Sequence, residues 1–227
     1  MIPKIIHQIW IGENPIPKDL ERLCLEIKTA HPEWQYKFWN NENSEELIPD
    51  LTDAGKQFYE EMLSIKKWAW ACDLLRIVAV YKYGGIYLDC DFKMVKGKTF
   101  NELPLDNNLL LSNKARSPNP ANLVRLQNCI FGAIPKHDFI EHLIKKIRNI
   151  PYQLTTCRFE PLEQYNCQYF TTEYFLRLYP NDILGLPKHL FVLEDNFIKN
   201  KEVIMTGDWF YGKNPTICKH LYRLSHL

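Results

Sequence analysis

The 227-residue chain has no excess of either charge, no long apolar run and no paired-cysteine motif. Its 28 Lys and Arg stand against 27 Asp and Glu, a net charge of +1, and the two signs are interspersed. No basic stripe marks out a face, which argues against a nucleic-acid partner. No apolar run approaches the ~20 residues that a membrane-spanning helix needs. The opening MIPKIIHQIWIG lacks the basic-then-apolar layout of a secretory leader. The cysteines at 24, 72, 90, 129, 157, 167 and 218 are odd in number, and no two have CxxC spacing. That pattern fits neither a zinc site nor a disulfide framework. Reduced, buried thiols in a cytoplasmic protein are the expectation. GxxxxGK[ST] is missing too, which removes a P-loop phosphotransferase. Nothing reads as a repeat, a low-complexity tract or a linker, so a single domain over 1–227 is expected.

What is abundant is apolar and aromatic side chain. Hydrophobic residues make up 46% of the chain, with 6 Trp, 12 Tyr and 12 Phe. That supports a substantial core, and aromatics at this density also suit stacking on bases and sugars. Lys4–Ile11 is predicted as a strand covered on both faces, because its apolar residues are nearly continuous. A helix over Asp19–Ala30 with Leu20, Leu23, Ile27 and Ala30 on one face follows, then a strand over Gln35–Trp39. Strand, helix, strand is the opening of a βαβ unit. Short helical pieces broken by Pro49 and Gly55 are expected over 41–64. An amphipathic helix is expected over Ile65–Lys82, stopped by Gly84. Further strands are expected at Leu109–Ser112, Cys129–Ile134 and Leu190–Leu193, and helices at Asp138–Arg148 and Thr172–Leu178. The tail from Thr206 shows little periodicity.

YGGIYLDCDF, residues 83–92, poses the chemical question. A short apolar strand delivers two carboxylates, Asp89 and Asp91, to its end. Burying one carboxylate is costly and burying two together costs more. If the segment is extended, both side chains face one spot. If it turns, one binds directly and the other through water. Either way, two hard oxygen ligands at the carboxyl end of a strand suit Mg²⁺ or Mn²⁺, whose remaining shell comes from water and substrate phosphates. Open α/β sheets bind ligands at that end of their strands. A DxD triplet alone is a weak signal; Gly84-Gly85 and the apolar Ile86, Tyr87 and Leu88 give it a rigid support. In the preceding helix, Asp73 and Arg76 are spaced i, i+3 and share a face. Such a pair is often an ordinary surface ion pair, but at a site rim it grips sugar hydroxyls by accepting and donating.

The combined spacing A69-x3-D73-x2-R76-x4-Y81-x2-G84-G85-x-Y87-x-D89-x-D91, with the N-terminal IPKIIHQIWIG, resembles the DxD-containing glycosyltransferases of the sugar-binding-region type. That group includes yeast-type α-1,6-mannosyltransferases, bacterial capsular polysaccharide transferases and, more distantly, the catalytic domains of large clostridial toxins. The resemblance is strong over residues 2–12 and 66–92 and weak elsewhere. It implies a GT-A fold: an α/β domain with a mixed, mostly parallel central sheet and helices on both faces. It divides the chain into a nucleotide-sugar half, 1–112, and an acceptor half with a C-terminal lid, 113–227. It implies a nucleotide-diphosphate sugar donor, UDP-hexose first, a divalent ion, usually Mn²⁺, and retention of anomeric configuration. Position by position, Asp89 and Asp91 match the metal and diphosphate motif, and Asp73 and Arg76 the donor-sugar contacts. His7, Gln8, Ile9 and Trp10 match the segment against the nucleoside, and Tyr87 lies within the donor motif. In the tail ICKHLYRLSHL, His220 matches a metal-closing His and Ser225 a diphosphate-side Ser, but His226 stands where Trp is usual. Thr171-Thr172-Glu173 departs from a usual Thr-Gly-Pro, and Asn128 matches a polar residue toward the acceptor.

The implied function is hexosyl transfer to a glycan or lipid-linked glycan in bacterial capsule, exopolysaccharide or lipopolysaccharide synthesis. Same-face attack by the acceptor hydroxyl is expected, with the leaving phosphate oxygen taking the proton. Two alternatives stay open: a toxin-like protein glycosyltransferase, which the chain's brevity disfavours, and an inactive sugar-nucleotide-binding subunit, which the altered tail suggests. Peripheral contact with the inner membrane face is a further expectation, from Lys136, Lys145, Lys146 and Arg148.

Overall fold

A computed structural model describes residues 1–113 and 126–146, together with the strand backbones at 197–199, 202–205 and 218–220. Strand β1 (Ile5–Ile9) is followed by helix α1 (Lys18–Ala30) and strand β2 (Gln35–Trp39). A 3₁₀ helix (Asn43–Asp50), α2 (Asp53–Ser64) and α3 (Trp68–Tyr83) lead into β3 (Gly85–Leu88) and β4 (Phe92–Met94). A 3₁₀ turn (Phe100–Glu102), β5 (Leu109–Asn113), β6 (Leu126–Ala133) and α4 (Asp138–Lys146) come next. The later strands are β7 (Phe197–Lys199), β8 (Glu202–Met205) and β9 (Cys218–His220).

Among the described residues, seven strands form one sheet in the order β2-β1-β3-β6-β5-β8-β7. The pairs β1/β2, β1/β3 and β5/β8 are parallel, and β3/β6, β5/β6 and β7/β8 are antiparallel. The α/β sheet is mixed as expected but not mostly parallel, since the pairings among the described strands divide evenly between the two senses. Strands β1, β3, β5 and β6 each serve two cores, because successive side chains leave opposite faces. Ile9, Tyr87, Leu109, Leu111 and Phe131 join α2, α3 and α4 on one face. Ile6, Ile86, Leu88, Leu110 and Ile130 join Ile27 of α1 and Phe100 on the other. Strand β1 is therefore covered on both sides, as its continuous apolarity predicts.

Helix α3 differs from expectation. Every residue from Leu74 to Val80 is buried, including Arg76. It is not amphipathic: α2, α4 and the first 3₁₀ helix wrap the side turned away from the sheet. It begins at Trp68 rather than Ile65, because Lys66 takes a left-handed φ of 59° in the turn out of α2. Gly55 does not break a helix either. It sits in the first turn of α2, where its N–H donates to the capping hydroxyl of Thr52 at 3.1 Å. Strand β6 starts three residues earlier than predicted, at Leu126.

The tail is not without regular structure: β9 pairs antiparallel with β4, in a two-stranded sheet of its own, with His220 opposite Phe92. The helix expected at Thr172–Leu178 and the strand at Leu190–Leu193 lie outside the described residues, as do Thr171, Thr172 and Glu173. Strands β7 and β8 join the main sheet at β5, so the two halves expected at 1–112 and 113–227 share one sheet. No helix among the described residues is long and apolar enough to cross a membrane.

Two glycines seat β3. Gly84 (φ 65°) closes α3, and Gly85 (φ 95°) enters the sheet beside β1. A Cβ at Gly85 would lie 2.5 Å from the Ile5 carbonyl oxygen, and one at Gly84 would lie 2.7 Å from Pro135. Main chain alone fits there. Gly97 also has positive φ (77°), but a Cβ there meets nothing within 4 Å. Gly85→Ala should therefore cost about 3 kcal/mol or more in urea unfolding, summing a backbone clash and φ strain. Gly97→Ala should cost only about 1–2 kcal/mol, the left-handed strain alone. Equal costs would show that the approach to β1 is unimportant.

Candidate active site

The site lies at the carboxyl ends of β1 and β3, where α3 passes over the sheet. Strand β3 stops at Leu88, and the chain turns through Asp89, Cys90 and Asp91, with the Phe92 N–H donating to the Asp89 carbonyl at 3.4 Å. Of the two geometries open for the acidic pair, the turn is the one present. Asp89 keeps the alternation of the strand and leaves it on the α3 face with Tyr87. Asp91 is fully buried.

Arg76 ties the site together. Its guanidinium, with the side chain only 8% exposed, lies 3.1 Å from Asp73 and 3.2 Å from Asp89. It also donates to the Asn128 carbonyl at 3.0 Å and sits over the Tyr87 ring, 4.7 Å from its centre. The Tyr87 hydroxyl donates to Asp89 Oδ1 at 2.6 Å, and Asn128 Nδ2 donates to Asp73 Oδ1 at 2.8 Å. The structure thus brings together Asp73, Arg76, Tyr87, Asp89 and Asn128 from α3, β3 and β6. The i, i+3 pair is no surface ion pair. Asn128 lies against Asp73, whereas its resemblance pointed toward the acceptor.

Charge and burial set the protonation states. Burial alone would loosen the Arg76 proton, but Asp89, Tyr87 and Asp73 outweigh it and hold it more firmly than usual. Burial raises the Tyr87 phenol well above its ordinary value, against the pull of Arg76, so the hydroxyl remains a donor. Burial also pushes the Asp73 carboxyl up to about 6, despite Arg76.

The N-terminal segment is mostly interior. His7 is buried, donating from Nε2 to the Gly84 carbonyl at 2.8 Å and accepting at Nδ1 from Trp39 Nε1 at 3.1 Å. Burial lowers its pKa to about 4, so the ring is neutral and its tautomer is fixed by these two partners. Ile9 is a core residue. Gln8 is fully buried and bonded to the Asp89 main chain at 3.2 Å. These three side chains are committed to protein contacts, because the first sheet strand is covered on both faces. Trp10, at the open end of β1, is half-buried, and its ring N–H donates to Asn14 at 3.0 Å.

A divalent ion fits the donor set. Two hard carboxylates, Asp89 and Asp91, flank a tight turn at the end of β3. That is the arrangement in which an ion takes one or two carboxylates and completes its shell from a diphosphate and water. The β4/β9 pairing brings the backbone of His220 opposite the residue after Asp91. Ser225 and His226 lie outside the described residues. On the basic face expected to meet a membrane, Lys145 is paired with Glu141 at 2.8 Å, and Arg148 lies outside the described residues.

Sequence reasoning overlooked Tyr36, whose hydroxyl donates to Gln8 Oε1 at 2.7 Å. The available signal was Gln8 itself, an amide within an apolar strand that needs buried partners.

Comparison with known proteins agrees with this geometry. Residues 17–115 match the family described as "Glycosyltransferase sugar-binding region containing DXD motif". The chain is 30% identical over 154 residues to inositol phosphoceramide mannosyltransferase 3 of Schizosaccharomyces pombe, covering 66% of this chain and 37% of that protein. It is 28% identical over 158 residues to mannosyl phosphorylinositol ceramide synthase CSH1 of Saccharomyces cerevisiae, covering 67% and 38%. The aligned region thus spans under half the length of these curated relatives. In fold it is similar to the PaToxG glycosyltransferase, with a TM-score of 0.62, 18% identity, and coverage of 81% of this chain and 73% of that one.

The Asp73 carboxyl gives a pH test. It titrates near 3.8 when unfolded and near 6 when folded. Between those values the native chain holds a proton that the unfolded chain has released. Its contribution to stability is therefore full below about pH 4 and is lost as pH rises through 6. In denaturant unfolding, Asp73→Asn should gain on the wild type as pH rises from 4 to 7. A constant difference across that range would contradict the elevated pKa. The matched DXD region over residues 17–115, the shared α/β fold and the Asp–Arg–Asp arrangement together make the chain similar to the DXD-containing glycosyltransferases.

Proposed function

We propose that the protein transfers a hexose from a nucleoside-diphosphate sugar to a hydroxyl of a glycan or lipid-linked glycan, with retention and with a divalent ion, Mn²⁺ or Mg²⁺. The observation that carries this reading is Arg76 held between Asp73 and Asp89 at the end of β3. Asp89 and Asp91 would hold the ion, which when bound supplies Lewis-acid stabilisation of the diphosphate leaving group. The protein's own residues do the rest. Arg76 has its guanidinium nitrogens engaged by Asp73, Asp89 and main-chain carbonyls, so it orients the two carboxylates. Asp73, one-fifth exposed at the mouth of the site, accepts from hydroxyls of the donor sugar. Trp10 and the open end of β1 face the nucleoside. In the transfer, the acceptor oxygen bonds to the anomeric carbon as the bond from that carbon to the phosphate oxygen breaks, and that oxygen takes the acceptor's proton.

The names of the two yeast relatives make mannose the first sugar, and a phosphoinositol lipid the first acceptor, to test beside UDP-hexoses and bacterial surface glycans. A lipid acceptor would bring the protein to a membrane surface.

The reading is tested by calorimetry of UDP and GDP with and without Mn²⁺, on wild type and on Asp91→Asn. Mn²⁺-dependent binding of one nucleotide, lost in Asp91→Asn, is expected, followed by turnover of the matching nucleotide sugars. Absence of nucleotide binding under every condition would overturn the reading.

A further inference from the structure

The DxD turn is fastened to β1 by side chains rather than by the sheet ladder. Strands β1 and β3 are in register only at Ile6↔Ile86 and His7↔Tyr87. Beyond that, β3 bends into the turn. On its other side, the Asp89 N–H continues the sheet pattern by donating to the Cys129 carbonyl at 2.9 Å. The Asp89 carbonyl is instead held by Gln8 Nε2 at 3.2 Å. The next residue is held as well: Cys90 Sγ lies 3.4 Å from the Ile9 carbonyl. Consecutive residues of β1 thus grip consecutive residues of the turn.

Gln8 has no freedom to turn over. A main-chain carbonyl only accepts, so the amide nitrogen must face Asp89. The amide oxygen accepts from the Tyr36 hydroxyl at 2.7 Å. Burial raises the Tyr36 phenol far above its ordinary range, which keeps its proton in place. Tyr36 is opposite Ile6 in the β1/β2 register, a diagonal neighbour of Gln8 on the same face. Gln8 itself is fully buried. A leucine there would fill the same space without the desolvation cost of an amide. What leucine cannot do is hold the carbonyl between the two carboxylates and the sheet.

We propose that Gln8, oriented by Tyr36, is the positioning residue of the DxD turn, fixing where Asp89 and Asp91 present their carboxylates to a divalent ion and a diphosphate. Its role toward those ligands rests on the proposed transferase function; its role in holding the turn does not. An error of order 1 Å in such placement is enough to cost a large factor in rate.

The test uses the full chain with Gln8→Leu, Tyr36→Phe and, as a core control on the same strand, Ile6→Val. Two quantities are measured: amide hydrogen exchange of peptides covering 89–94, and Mn²⁺-dependent affinity for whichever of UDP or GDP the wild type binds. Gln8→Leu should weaken that affinity about 10-fold, the lower end of the range for groups that orient metal ligands, and excess Mn²⁺ should recover part of it. Exchange over 89–94 should quicken in Gln8→Leu and, less, in Tyr36→Phe, while Ile6→Val lowers stability without either change. Wild-type exchange and affinity in a folded Gln8→Leu would overturn the inference. If Gln8→Leu does not fold, Tyr36→Phe decides by the same two quantities. If the wild type binds no nucleotide, the transferase reading fails, and exchange over 89–94 alone decides whether Gln8 holds the turn.

Discussion

A buried guanidinium needs anions around it, and Arg76 has recruited them from two elements. Asp73 comes from its own helix and Asp89 from the end of the strand that follows. Taking three charges from water is costly, and their mutual attraction offsets that only where the geometry is close and the remaining polar atoms are bonded. Here they are: Asn128 serves Asp73, Tyr87 serves Asp89, and the Cys72 and Asn128 carbonyls serve Arg76. Removing Arg76 would leave two carboxylates facing each other across a shielded space. Much else follows from keeping it. Helix α3 must cross β3 at one height, Gly84 and Gly85 must let the chain reverse there, and β6 must arrive with Asn128 at the same level.

The organisation of the first half of the chain was legible in the sequence, for physical reasons. Apolar alternation and runs identify β1, β2 and β3, and the Gly84-Gly85 pair marks the turn between α3 and β3. The acidic pair and the Asp73–Arg76 spacing pointed to the right place. Less legible was how deep that place lies. In α3, Asp73 and Arg76 looked like the polar side of an amphipathic helix, because periodicity counts charges as surface. Only the tertiary arrangement, with β3 and β6 bringing Tyr87, Asp89 and Asn128 against them, makes Arg76 interior and leaves Asp73 one-fifth exposed. The resemblance of the N-terminal segment pointed His7 and Gln8 toward the nucleoside. The structure gives them to the sheet, where His7 bridges Trp39 and the Gly84 carbonyl. The strand Cys218–His220 escaped notice because three residues carry no period, and its partner β4 lies more than a hundred positions away.

The sheet also explains how a site with few polar residues keeps a defined shape. Strand β1 contributes no charge to it, yet its side chains and carbonyls hold the turn on which the charges ride. Rigidity comes from the strands, and the chemistry is placed just past their ends. This division fits a fold shared, at low identity, with the PaToxG glycosyltransferase.

Alternation along β3 carries a consequence for how this segment tolerates change. Tyr87 and Asp89 face α3, while Ile86 and Leu88 face α1. One residue added or removed between Gly85 and Asp89 would exchange the two faces. Leucine would then meet the guanidinium, and a carboxylate would enter the apolar layer beside Ile27. Side-chain substitutions here change strength; a change of length reverses the wiring. The five residues from Gly85 to Asp89 therefore act as a fixed-length ruler, and insertions that surface loops accept have no place in it.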